Sequence, residues 1–438
     1  MNWLLVVFFL VALYALIAGY IKYNNLWEKY ITFYGPILAI KTENVAFFDR
    51  VIPYSLFFRI YGTLGVVIVI VISVLMSLML VFSLWRTVII TPEPIGIYAP
   101  QNLLAIPGVN EFIPFSFAVW FAFVFTLVIH EFGHAVLCRV EGIRIRSMGV
   151  LLAIIPIGAF VEPEEEDVLE SKGMPKIRMF GAGITNNILV GLLCFILMFS
   201  LLGLAVPTST PLIKGIYQDY PADIAGVPPF SVIKEVNGVD IVSRDDVTTI
   251  LESTRPGDEI NLVISSETGE QGRYSLTLAE WPNDSAIRAV PDSGFMGIYY
   301  YDAFAVKNLF DRIVSPAGLL LMIYVPIDTV MNNEQLMMGI LAFDSPAAVV
   351  WDVPFPLFWV VIQTLFWCGW FNLAVGTFNA LPFIPLDGGY IMQEGVTRFF
   401  ERRNRPELAK YVVAAVSWLM LFIVIALIAL PYMMHILF

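Results

Sequence analysis

The chain has 438 residues, 58% hydrophobic and only 14% charged. A soluble domain carries about a quarter charged residues, so this composition excludes an ordinary soluble globule and points to a lipid setting. The net charge of −12 argues against a nucleic-acid partner.

A spanning helix needs roughly 20 apolar residues. Six stretches qualify: 3–20, 64–85, 114–138, 179–206, 355–380 and 411–432. The first lacks a basic leader and a small-x-small cleavage site, so it reads as a retained anchor rather than a signal peptide. Lys and Arg then set the orientation. Lys22, Lys29, Lys41, Arg50 and Arg59 follow the first span; Arg139, Arg144 and Arg146 follow the third; Arg398, Arg402, Arg403, Arg405 and Lys410 precede the last. These stretches are expected on the cytoplasmic side, with the N-terminus, the loop 86–113, residues 210–292 and the C-terminus on the other.

The third span contains His130-Glu131-Phe132-Gly133-His134. Only three histidines occur in the chain, and two stand here at i and i+4. On a helix that spacing puts both imidazoles on one face, where they can grip a zinc ion, with the intervening Glu131 free to work on a water. The site is expected near the cytoplasmic end of the span.

Residues 147–160 are apolar but too short to cross, and contain Pro156 and Gly158. They are read as a re-entrant hairpin, which is tolerated at membrane depth only against protein or a wet cavity. The acidic run Glu162–Asp167 reads as a solvated loop that could gate the site. Cys138, Cys194 and Cys368 lie in or beside apolar runs and suggest packing, not a disulfide framework or a metal site.

From 210 to 292 the composition changes, with 14 Asp and Glu against 6 Lys and Arg. Val232-Ile-Lys-Glu-Val-Asn-Gly238 reads as a strand ending in an Asn-Gly turn. Ser243 with Asp245 and Asp246 reads as the capped start of a short helix. Ile260–Ile264 and Tyr274–Leu278 read as strands beyond the break at Pro256-Gly257. With Pro221-Ala-Asp-Ile-Ala-Gly226 this order resembles a PDZ domain, a module whose groove takes an extended peptide as an added strand. Residues 316–350 are patchily apolar, and the connector 293–354 is expected to be amphipathic or interfacial.

A hydrolytic zinc usually has three protein ligands. His435, the remaining histidine, lies near the end of the sequence, so the third ligand is expected to be a distant acid. Asp387 fits best. It sits in Asn379-Ala-Leu-Pro-Phe-Ile-Pro-Leu-Asp-Gly-Gly389, where Pro382 and Pro385 break the helix and Gly388 and Gly389 permit tight backbone geometry. A carboxylate at membrane depth costs roughly 3 kcal/mol without a partner, and a metal supplies one.

The two motifs together resemble the site-2 proteases, the intramembrane zinc metalloproteases of peptidase family M50. That family pairs H-E-x-x-H with N-x-x-P-x-x-P-L-D-G-G, and both stand unbroken here. A third element, A-G-P-x-x-N, is partly matched by Ala182-Gly-Ile-Thr-Asn-Asn187, with Ile184 in place of Pro. The resemblance implies one Zn2+ held by His130, His134 and Asp387, and Glu131 as general base and acid. It implies Asn187 as a hydrogen-bond donor to substrate or oxyanion, and Asn379 in the same role or fixing Asp387.

The expected fold is a polytopic α-helical membrane protein of about six spans with an inserted β-rich PDZ-like domain. Its parts are a two-span region 1–113, a first catalytic part 114–209, the extracytoplasmic domain 210–292, the connector 293–354 and a second catalytic part 355–438. The expected partners are a transmembrane protein substrate, a peptide or protein ligand of the PDZ-like domain, and lipid. Two other readings remain: a membrane H-E-x-x-H protease of the CAAX-processing type, and a non-proteolytic metal transporter or scaffold.

Overall fold

Wherever the apolar runs are long enough to satisfy their own backbone in lipid, the chain is helical, as a solvent without hydrogen bonds demands. The computed structural model describes residues 3–90, 102, 105–266, 269–282, 293–313 and 348–437. The chain divides into two compact units, residues 1–195 with 363–438, and residues 196–362.

The first unit opens with the apolar helix α1 (Trp3–Tyr23), followed by the short strands β1 (Ile31–Tyr34) and β2 (Ile37–Thr42). A 3-10 turn over Ala46–Tyr54 leads into the long helix α2 (Ser55–Ile90). Next come α3 (Phe117–Val140), the strands β3 (Ile145–Ala153) and β4 (Ile155–Pro163), the single-turn helix α4 (Glu165–Glu170) and α5 (Met174–Leu202). Ser116 caps α3 by accepting from the Val119 N–H, one of the donors that a helix start leaves unpaired.

Among the described residues, five helical stretches are long and apolar enough to cross a membrane: 46–90, 117–140, 174–202, 358–379 and 407–434. The faces of α2 turned away from protein are apolar too, with Leu64, Val67, Val71, Leu75 and Leu78 each more than half exposed. Water tolerates no such band, whereas hydrocarbon does.

The expected re-entrant segment is a β-hairpin of β3 and β4. It joins β1 and β2 in a four-stranded antiparallel sheet of order β1-β2-β3-β4. Leu38 pairs with Leu152 and Thr42 with Met148, so residues far apart in sequence share one sheet. Sequence reading missed β1 and β2 because each is only four to six residues long. Arg144 and Asp167 lock the base of the hairpin in a two-pronged ion pair. The acidic run thus belongs partly to β4 and α4 rather than to a loop.

In the second unit, β5 (Val206–Pro207), β6 (Leu212–Ile216), α6 (Pro221–Ile224), β7 (Ser231–Val236), β8 (Val239–Asp240), α7 (Arg244–Glu252), β9 (Glu259–Ser265) and β10 (Gln271–Thr277) follow in order. β11 (Ile298–Tyr300), α8 (Ala303–Ile313) and β12 (Trp351–Asp352) complete the unit among the described residues. The main sheet runs β10-β9-β7-β6-β11, with β8 on β7. Asn237 and Gly238 both have positive φ (50° and 79°), the conformation a two-residue I′ hairpin needs. Ser243 and Asp246 form a reciprocal capping box on α7. Alternate residues of β9 (Ile260, Leu262 and Ile264) enter the core with Ile213, Ile233 and Val236. β11 pairs with β6 beyond residue 292, so the sheet reaches into the stretch expected to be connector. Residues 314–347, and with them most of 316–350, lie outside the described residues, as does the side chain of His435.

The first unit resumes at residue 363 within α9 (Phe358–Asn379), continues through a broken segment into α10 (Asp387–Glu401), and ends in α11 (Glu407–Leu437).

Candidate metal centre

α3 sends the imidazoles of His130 and His134 from one face, as the i, i+4 spacing requires. Opposite them, Asp387 opens α10 in its first turn, where the helix dipole favours a carboxylate. The glycine pair after it allows this placement: a methyl on Gly388 would collide with the Ala380 carbonyl, and one on Gly389 with Phe383. The start of α10 can therefore fold back against the segment leaving α9.

Three ligand atoms converge. His130 Nε2 lies 3.1 Å and His134 Nε2 3.2 Å from Asp387 Oδ2, and the two nitrogens are 3.2 Å apart. A tetrahedral zinc with bonds of ~2.0–2.1 Å spaces its ligand atoms about 3.3 Å apart. Asp387 Oδ2 is buried and makes no well-directed hydrogen bond among the described residues. A cation at the centre of the triangle would satisfy all three atoms together. Among the described residues, this trio is the one His, Cys, Asp and Glu cluster with metal-ligand spacing.

The ring orientations have identifiable causes. His134 Nδ1 lies 2.8 Å from the Met179 carbonyl. Its N–H donates there, which leaves the Nε2 lone pair facing the triangle. His130 Nδ1 faces the side-chain amide of Asn187 at 3.2 Å. On the α5 side the wall is Gly183, where a methyl would stand 2.5 Å from His134 Nε2 and 2.9 Å from His130 Nε2. A Cβ there would crowd both nitrogens that face Asp387.

Glu131 projects from the same turn toward the sheet. Its carboxylate accepts the Val161 backbone N–H of β4 at 2.8 Å. It also lines a cavity of about 400 Å³ between α3 and the sheet, with Lys41, Val128, Phe132, Gly149 and Phe160 among the other walls.

Several residues hold α3 in place. Asn186 donates to the Ile129 carbonyl at 3.1 Å and accepts from the Tyr61 hydroxyl at 2.5 Å, tying α2, α3 and α5 together beside the motif. At the far end, the Glu141 carboxylate takes Arg178 at 2.8 Å and Arg59 at 3.6 Å and is almost fully enclosed.

The structure brings His130, Glu131, His134 and Asp387 to one place. The asparagines contact protein groups. Asn187, expected against substrate, has no exposed surface and faces a histidine ring. Asn379 donates to the Val375 carbonyl one turn back, at 3.0 Å, rather than to Asp387; its i−4 partner lies in its own helix. Asn372 is buried and donates to the Thr126 hydroxyl and the Cys368 carbonyl, both at 2.8 Å. Sequence reasoning missed Gly183, Met179 and Val161. Gly183 could have been found from the small pair Ala182-Gly183 lying one turn before the asparagines, whereas Met179 and Val161 act through backbone atoms and leave no trace in side-chain identity.

A family model described as Peptidase family M50 matches residues 118–424. The chain is 26% identical over 231 residues to the zinc metalloprotease RasP of Shouchella clausii, covering 51% of each chain. It is 25% identical over 285 residues to an uncharacterized protein of Methanocaldococcus jannaschii, covering 65% of this chain and 58% of that one. The chain thus spans little more than half the length of these curated relatives.

Proposed function

Starting from the fact that this chain belongs to peptidase family M50, the site-2 proteases, we propose that it is an intramembrane zinc endopeptidase that cuts transmembrane segments of membrane proteins. The observation that carries this reading is the triangle of His130 Nε2, His134 Nε2 and Asp387 Oδ2, with edges of 3.1–3.2 Å, beside the Glu131 carboxylate. Neither a CAAX-type protease nor a transporter is favoured: the third acid comes from the Pro-Leu-Asp-Gly-Gly segment, and the acidic and imidazole groups converge on one point rather than marking a path.

His130, His134 and Asp387 would hold one Zn2+, since their Nε2 and Oδ2 lone pairs converge on one point. When bound, zinc supplies a Lewis acid for the scissile carbonyl and lowers the pKa of water to about 7. Glu131 accepts a proton from the attacking water and returns it to the departing amine. Asn379, partly exposed where α9 ends, is the amide available to the substrate backbone.

A substrate helix hides its carbonyls in its own hydrogen bonds, so it must unwind before it is cut. β4 is an edge strand of its sheet. Val161 N–H points away from β3, since it donates to Glu131, and strand alternation sends the N–H and C=O of Ala159 the same way. An unwound segment laid along this edge gains main-chain partners next to Glu131.

We further propose six spans, α1 included, with the site toward the cytoplasmic side and the β-rich unit, read as PDZ-like and able to take a peptide, opposite. The pairing of β2 with β3 supports this orientation, because the Lys and Arg pattern assigns both strands to the same side. The reading is tested by reconstituting the purified chain in liposomes with single-span substrates, then removing and restoring zinc. Cleavage within the span that disappears on chelation and returns with zinc is expected. Cleavage indifferent to the metal overturns the proposal.

A further inference from the structure

Asn186 and Asn187 are adjacent on α5 but face different neighbours. Asn186 spends both ends of its amide on Tyr61 and the Ile129 carbonyl. Asn187 has no exposed surface, and a methyl on Gly376 of α9 would lie only 3.1 Å from its Cβ. α9 therefore packs directly over Asn187 and shuts it away from any approaching peptide. The hydrogen-bonding partner its side chain does reach among the described residues is His130 Nδ1, at 3.2 Å.

A neutral imidazole that turns the Nε2 lone pair toward a cation carries its proton on Nδ1, and that proton needs an acceptor. The carbonyl end of the Asn187 amide can meet it, because a half-turn about the terminal bond exchanges oxygen and nitrogen without moving any other atom. Asn187 Oδ1 is buried with no partner among the described residues, so nothing else competes for it. The second histidine is served the same way by the Met179 carbonyl.

We infer that Asn187 is a positioning residue of the metal centre: its side-chain carbonyl accepts the His130 Nδ1 proton and fixes Nε2 toward the point shared with His134 and Asp387. The two ligating rings are thus oriented from α5, one by a backbone carbonyl and one by a side chain. Substrate contact is left to other groups. This inference rests on the reading of the trio as a zinc site.

The test is the zinc dissociation constant of the full-length solubilised chain, measured by chelator competition, with the Co2+ absorption spectrum as a report on ligand geometry. Asn187→Leu keeps the size of the side chain and removes the acceptor; Asn187→Asp keeps an acceptor. Loss of an outer-shell partner typically costs about 10–100-fold in affinity, so we expect that loss, with an altered Co2+ spectrum, in Asn187→Leu and near-normal binding in Asn187→Asp. Wild-type affinity and spectrum in a folded Asn187→Leu overturn the inference, above all if turnover alone falls. Should Asn187→Leu not fold, Asn187→Asp decides: retained affinity supports the role, and a tenfold loss overturns it. Failure of the wild type to bind zinc sinks the metalloprotease reading instead, so the two failures are distinguishable.

Discussion

Gly183 on α5 faces His134 on α3 so closely that a methyl group in its place would stand 2.5 Å from Nε2. A side chain there would crowd the nitrogens that face Asp387. Gly183→Ala should therefore yield a chain that folds but binds zinc at least tenfold more weakly. Zinc content per chain, measured beside a thermal unfolding curve, checks this. Full zinc loading would show that the ion does not sit in front of Gly183.

Glu141 joins α3 to α2 and α5 through Arg59 and Arg178. Removing one partner of an enclosed ion pair typically costs about 3–5 kcal/mol, because the other charge is left uncompensated. Glu141→Ala should lower stability on that order, while double replacement of Glu141 and Arg178 by apolar residues should recover part of the loss. Denaturation of the three proteins in one detergent supplies the comparison. No recovery in the double variant would mean that the pair contributes little.

Val161 N–H is directed at Glu131 and is not needed by β3. Proline at such an outward position removes the donor and leaves the ladder intact. Val161→Pro should keep zinc binding and stability but lower cleavage, because the backbone donor that holds the Glu131 carboxylate beside the β4 edge is lost. Unchanged kcat and KM would remove β4 from the account of substrate binding.

Asp167 is held down from its ordinary value of 3.8 to about 2, first by side-chain hydrogen bonds to Arg144 and then by the Arg144 backbone N–H. A depressed carboxylate contributes stability that is present above its unfolded value and lost as pH falls through the folded one. The base of the β3–β4 hairpin should therefore loosen as pH falls from about 4 to 2. Protease susceptibility around residues 144–167 measures this. Asp167→Asn should be susceptible already at neutral pH, without the acid step.

The helices and the residues of the candidate metal centre were legible because their signals are periodic or chemically unusual. Apolar runs of spanning length, two of three histidines at i and i+4, and a Pro-Leu-Asp-Gly-Gly segment are patterns that packing alone rarely requires. The four-stranded sheet was half hidden: β1 and β2 are short, and their pairing with β3 bridges a long sequence separation. The surroundings of Asn187 were hidden for a similar reason. Asn187 sits within a partly matched motif, but whether its amide meets a substrate or a ring depends on α9 closing over it at Gly376, a contact between distant segments. The roles of Met179 and Val161 are carried by the backbone and are independent of side-chain identity.

The most direct test of the central claim compares wild type with Glu131→Gln on a reconstituted single-span substrate, with zinc content matched. Glu131 is here the proton carrier and not a ligand, so the variant should hold as much zinc as wild type. Its rate of cleavage within the span should fall by about 10²–10⁴-fold, the range for loss of a general base. Near-normal cleavage by a zinc-loaded, folded Glu131→Gln would contradict the account.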